Sequence, residues 1–309
     1  MTLCKEDTEK RFKILKSFFV LALFWALSFW GSEHISEAVL SGLEFSVTVI
    51  VPSVFPFMVL SDFAGSLFEF EKSNCLSKIF ERAFKINPCA ISMFFAGLIG
   101  GFPVGARGAL NLYEDGKISK SECERLMSFS NIASPAYTIS AVGIGLLSNI
   151  KLGIILYSTL IVSAVVTGYL LSINKDYIKN TEFISRQKYD FVSSIKSAAS
   201  ACVNLIFFIS FFSAICAAIQ KMRLSTVIKA IICSLFEVSN SVSYISDLCI
   251  YSEKLKLAII AFSLSFSGIC VILQSLAFSK KCVFSIQKFV FYKLIQGGIS
   301  FIIIILLPI

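Results

Sequence analysis

Between Gly97 and Leu110 the chain reads GLIGGFPVGARGAL, five glycines, a proline and an arginine inside an apolar run that begins near Pro88. A backbone that leaves helical geometry in lipid must satisfy its N–H and C=O groups by other means. Such breaks persist only where protein buries them or a polar cavity faces them. Glycines Gly101 and Gly105 allow a turn and the close approach of a ligand. Pro103 lacks an N–H and disfavours helix at Phe102, so a new half-helix is expected to start near Val104. The N–H groups at its start carry partial positive charge, and Arg107, one turn on, adds a full charge in a planar fork. That chemistry suits an anion. A second reading of the same residues is packing: Gly97, Gly101 and Gly105 form two overlapping GxxxG steps, and Arg107 can snorkel to the inner interface.

Three further stretches carry polar chemistry in apolar surroundings. SNIASPAYT offers Asn131, Ser134, Tyr137 and Thr138 as donors and acceptors, and Pro135 is expected to free the carbonyl of Asn131 for a ligand. Its alternative is a kinked span whose hydroxyls bond their own backbone. FEVSNSVSY places Glu237 and Asn240 in a weakly polar segment. An acid at membrane depth is costly, which makes Glu237 a candidate for proton or sodium coupling, against the alternative of a solvated external loop. SFSGICVILQS adds a breaker pair, Ser267 and Gly268, and a hydrogen-bonding Gln274. Glu124 and Arg125 read as interface charges. The candidate substrate-binding set is therefore Gly101, Pro103, Gly105, Arg107, Asn131, Ser134, Pro135, Tyr137, Ser267, Gly268 and Gln274, with Glu237 and Asn240 for ion coupling.

Other chemistries are poorly served. His34 is the only histidine, and the ten cysteines include no CxxC pair, so neither a metal site nor a disulfide framework is expected. No GxxxxGK[ST], HExxH or GxSxG occurs, which argues against P-loop hydrolysis and an intramembrane enzyme. No cofactor is expected.

The elements that must position these residues are membrane helices. The 309 residues are 56% hydrophobic and 16% charged, with mean hydropathy +0.80, against roughly 25% charged in a soluble domain. Apolar runs of about 20 residues recur, the length that crosses a bilayer core. The net charge of +8 sits in short connections, as positive-inside bias requires, so nucleic acid is not an expected partner. Lys5, Lys10, Arg11, Lys13 and Lys16 precede the first run, and SFWGSEH offers no small-residue cleavage site. A retained first helix over 14–31 with a cytoplasmic N-terminus is expected.

The expected fold is an all-α polytopic membrane protein. Residues 1–37 form the N-terminal segment and first helix, and 38–174 a first repeat with a re-entrant broken segment at 88–112. Residues 175–197 form a basic cytoplasmic-type loop, and 198–309 a second repeat with a re-entrant segment at 226–250. Between 73 and 86 the connection reads as an interfacial helix with Leu76, Ile79, Phe80 and Phe84 on one face. Runs 126–148, 152–173, 257–279 and 286–308 read as spans. Each half then runs span, broken segment, span, span from opposite sides, the plan of an inverted repeat. A local echo supports it: FSNIASPAYTI from Phe129 and FSLSFSGICVI from Phe262 both put Ser before a helix breaker.

GLIGGFPVGARGAL, KISKSECERLMSFSNIASPAY, FEVSNSVS and SFSGICVILQ together resemble the sporulation integral membrane protein YlbJ family, among the nucleoside-recognition Gate domain membrane proteins. The glycine-proline-glycine segment followed by ExxxxxxNxxSP carries most of the likeness. In the second half, Asn240-Ser241 and the single glycine of SGIC depart from the family pattern. The resemblance implies a spore-forming bacterium and a transporter-like protein of the outer forespore membrane, with dipicolinic acid as cargo. The wider Gate group implies a nucleoside instead. A non-transporting scaffold for spore development is the reading from a different class. The partners left open are the lipid bilayer, a small organic anion or nucleoside, and a membrane protein or second copy of the chain.

Overall fold

The computed structural model describes residues 32–67, 75–175, 190–248, 252–278 and 285–308. The expected first helix at 14–31 and most of the basic loop at 175–197 lie outside the described residues. All regular elements among the described residues are helical. Among the described residues, five helices are long and apolar enough to cross a membrane, or six if one bent pair is counted as a span. The protein is an all-α polytopic membrane protein.

The first described run forms α1 (Ser32–Phe45), a π-helical stretch (Ser46–Ile50) and α2 (Val51–Leu67), which accommodates Pro52 and Pro56 without ending. Helix α3 (Cys75–Phe84) follows, bent by 100° from the segment Pro88–Gly100. The single apolar face expected of α3 divides. Phe80 and Phe84 are buried, while Leu76 and Ile79 are exposed. The buried pair joins Phe94 and Phe129 in an aromatic cluster, with Phe84 stacked on Phe129 at 5.0 Å between centroids.

The interrupted segment is a helical hairpin, α4 (Ile91–Gly100) and α5 (Val104–Glu114). At 1.5 Å per residue each arm reaches roughly 15 Å, half a hydrocarbon core. Its two ends are tied together. Glu122 accepts from the Asn87 N–H at the entrance (2.9 Å) and from the Ser119 N–H beyond the exit (2.7 Å). The two ends of the segment therefore lie side by side. Ser119 and Glu122 also form a capping box that starts α6 (Lys120–Ser130), where the sequence reads as a polar connection.

Run 126–148, expected as one span, is broken. Helix α6 ends at Ser130, residues 131–134 are non-helical, and a π-helix covers Ala136–Leu146. Pro135 cannot donate to the preceding turn and sits immediately before the new helix. Helix α7 (Ile150–Leu170) is an unbroken span.

The second half repeats this order. Helix α8 (Phe191–Lys221) is the long span. Helices α9 (Thr226–Phe236) and α10 (Val238–Asp247) form a second interrupted pair, followed by α11 (Glu253–Phe266), α12 (Gly268–Ala277) and the span α13 (Ile286–Leu306). Run 257–279, also expected as a span, is interrupted at the breaker pair Ser267 and Gly268, both with positive φ. The echo between the halves falls on these two breaks. Even its flanking serines act alike. Ser130 donates to Leu126 O and Ser263 to Ile259 O, each one turn back. Corresponding elements also meet: α1 and α2 lie against α8, and α7 lies against α13.

Arg125 corrects the reading of an interface charge. It is buried, and its guanidinium donates to Phe84 O (3.2 Å), Lys85 O (2.8 Å) and Ser172 Oγ (3.1 Å). It satisfies the orphan carbonyls at the end of α3 and locks them to α7. Glu124 lies 3.8 Å from Lys288.

Candidate functional site

The polar interior is built where broken elements cross. In the first half the tip of the α4–α5 hairpin meets the break after α6. Gly101 has φ +74°, a conformation that favours glycine, and Pro103 precedes α5, which starts at Val104 as expected. A Cβ on Gly101 would stand 2.5 Å from Ser134 N, and one on Gly97 2.5 Å from Ser130 O. One on Gly105 would stand 2.8 Å from the carbonyl carbon of Ser130. The close approach these glycines permit is thus taken by the protein's own backbone, which is the packing reading of the GxxxG steps. Gly105→Val is expected to destabilise the folded protein by about 1–3 kcal/mol, an overpacking cost. Thermal unfolding in detergent measures it; an unchanged midpoint would show that the seam is loose.

The same break frees a carbonyl. Asn131 O, released from helix bonding as the sequence suggests, accepts from Lys293 Nζ at 2.7 Å. Lys293 lies on α13, fully buried, and donates also to Gln296 Oε1 at 2.7 Å. Among the described residues no carboxylate lies within ion-pairing distance of this ammonium. The Asn131 side chain donates to Ser275 Oγ on α12 at 3.0 Å, joining the two halves. At this point two buried polar atoms have no partner among the described residues, Asn131 Oδ1 and Gln296 Nε2; Thr138 Oγ1 and Gln274 Nε2 are likewise buried without one. Native interiors leave few such groups.

In the second half the crossing is at Glu237. It is buried, which excludes the solvated loop, and it starts α10 as an N-cap. Oε1 accepts from Ser239 N (2.9 Å); Oε2 accepts from Asn240 N (2.6 Å) and Asn240 Nδ2 (2.9 Å). Asn240 Nδ2 also reaches Ser213 Oγ on α8 at 2.8 Å. The helix N-terminus and these donors hold the carboxylate where no basic side chain among the described residues pairs with it. A Cβ on Gly268 would stand 2.9 Å from Phe236 O and 3.2 Å from Glu237 N, so the α11–α12 break seats directly on this cap. Tyr137, from the first half, lies beside Ser239 and in the field of Glu237.

The structure therefore gathers Asn131 with Lys293, Gln296 and Ser275, and Tyr137 with Glu237, Ser239 and Asn240. Ser134 accepts from Tyr137 N at 3.2 Å and shapes the turn with Pro135. Ser267 supplies the left-handed residue of the second break. Arg107 goes elsewhere. Its side chain is buried and donates to Ser197 Oγ on α8, so the guanidinium joins the hairpin to that span. Lys293 and Gln296 were missed by the sequence reading. The signal was present as FYKLIQGG, a lysine and a glutamine three apart inside an apolar run.

No family model and no solved structure matches the chain. One curated protein does: the sporulation integral membrane protein YlbJ of Bacillus subtilis (strain 168), 30% identical over 166 residues. Over that stretch the chain is similar to YlbJ. The match covers 53% of this chain and 40% of YlbJ, so the chain spans less than half the length of that relative.

Proposed function

We propose that the chain is a secondary-transporter-like protein of spore-forming bacteria that moves a small organic anion across a membrane during sporulation. Dipicolinic acid is the cargo that the kinship with YlbJ suggests. The observation that carries this reading is Lys293: a fully buried side-chain amine seated on a freed main-chain carbonyl, with no carboxylate beside it among the described residues. A lone charge in a low-dielectric interior is costly, and an anionic cargo offsets that cost when it binds. Glu237 and Asn240, at the second crossing, are the proposed coupling site. The two halves, recurring in order, take opposite membrane orientations, with the N-terminus cytoplasmic and the chain in the outer forespore membrane. No covalent chemistry is assigned to it.

A scaffold role is the second reading, favoured by glycine seams filled with protein backbone rather than open to a ligand. Purified protein in liposomes separates them. Saturable uptake of labelled dipicolinate is expected, faster than uptake of labelled nucleosides. Uptake of nucleoside alone would move the chain to the nucleoside reading, and no uptake of either would leave the scaffold.

A further inference from the structure

A separate cavity of about 670 Å³ opens between α3 and the end of α7, away from the crossed breaks. Lys78, Arg82 and Lys85 line it, with Ile79, Tyr169 and Ile173 as apolar walls and no acidic side chain among its described lining residues. Its floor is fixed. Ser172 Oγ donates to Phe84 O at 2.6 Å, and buried Arg125 holds Phe84 O, Lys85 O and Ser172 together. Its depth follows from α7. A 21-residue helix reaches roughly 31 Å and spans a hydrocarbon core, so Tyr169 and Ser172 at its end lie at headgroup level. Helix α3 meets the hairpin segment at 100° and exposes Leu76 and Ile79 beside Lys78 and Arg82. A helix of that kind lies along an interface rather than through it.

We propose that this cavity binds the phosphate of an anionic phospholipid. Lys78, Arg82 and Lys85 take the headgroup, and the upper acyl chain runs along Ile79, Tyr169 and Ile173. Three cations with no acid among them match a phosphodiester, and exposed apolar walls beside them match a chain that a soluble anion lacks. The rigid floor explains why Arg125 is buried for the sake of main-chain carbonyls: it keeps α3 pinned so that its basic residues face one volume.

The test uses the full chain in detergent, with phosphatidylglycerol as probe, phosphatidylcholine as the zwitterionic control and inorganic phosphate as the soluble competitor. Phosphatidylglycerol is expected to stay bound through delipidation while phosphatidylcholine washes away. Combining Lys78→Gln, Arg82→Gln and Lys85→Gln is expected to weaken phosphatidylglycerol binding roughly 100-fold. Because these side chains line an open cavity, thermal unfolding should hold. Ile79→Ser with Ile173→Ser is expected to weaken the lipid and leave phosphate competition unchanged. Equal retention of both lipids, or full retention by the charge variant, would overturn the proposal. So would the apolar variant binding lipid like the parent while phosphate displaces it freely, which would mark a soluble-anion site.

Discussion

Lys293→Gln is expected to abolish high-affinity binding of an organic dianion while leaving the folded protein as stable as the parent, or more so. The ammonium is fully buried and bonded to two neutral acceptors, Asn131 O and Gln296 Oε1. Neither neutralises it. Removing an unpaired buried charge relieves desolvation cost, whereas breaking a buried ion pair would destabilise. Cargo binding should suffer in the other direction. A charge-assisted bond to a carboxylate is lost, at about 2–5 kcal/mol by analogy with buried interface pairs. That is roughly 30-fold to several thousandfold in affinity. Equilibrium binding of dipicolinate to detergent-purified protein, at matched folded amounts, measures it beside thermal unfolding. A lysine that only staples α13 to the break gives the opposite pattern, a lower midpoint with unchanged binding per folded molecule.

Glu237→Ala and Glu237→Gln are expected to part company. The carboxylate accepts from two backbone N–H groups at the start of α10 and from the Asn240 side chain. Alanine removes all three acceptances in a buried place. Each unsatisfied donor costs about 1–3 kcal/mol, so a severe loss of stability is expected. Glutamine keeps one acceptor oxygen and turns an NH₂ toward the remaining donors, a smaller injury. If Glu237 couples cargo movement to an ion, Glu237→Gln inserts and folds yet loses gradient-driven uptake in liposomes while still binding cargo. Full gradient-driven uptake by that variant would reduce Glu237 to a helix cap that also seats the α11–α12 break through Gly268.

These two residues show how unevenly the site was written into the chain. Glu237 was visible because an acid in a weakly apolar segment is rare, and the burial of its side chain is what separates site from loop. Lys293 carried the same kind of signal and was absorbed into an apolar run. Arg107, the most conspicuous charge in the sequence, joins α5 to α8 at Ser197. The glycines around it were legible as breaks. That their open side is filled by Ser130 and Ser134 was not, because nothing local marks which backbone will approach.

Legible from residues alone were the class, the broken segment at 88–112, the interruption at Glu237 and the echo at Phe129 and Phe262. Each rests on a local property: run length against bilayer thickness, the missing N–H of proline, the open φ range of glycine, the cost of a charge in lipid. The breakers in runs 126–148 and 257–279 were legible too, but whether they kink a span or end a helix was settled by the fold, since hydropathy is equally apolar on both sides of a break. The tertiary structure alone decided that Lys293 meets Asn131 across 162 positions. The partner there is a main-chain carbonyl, which every residue carries, so no residue type announces it. Such pairing is set by which breaks cross in space.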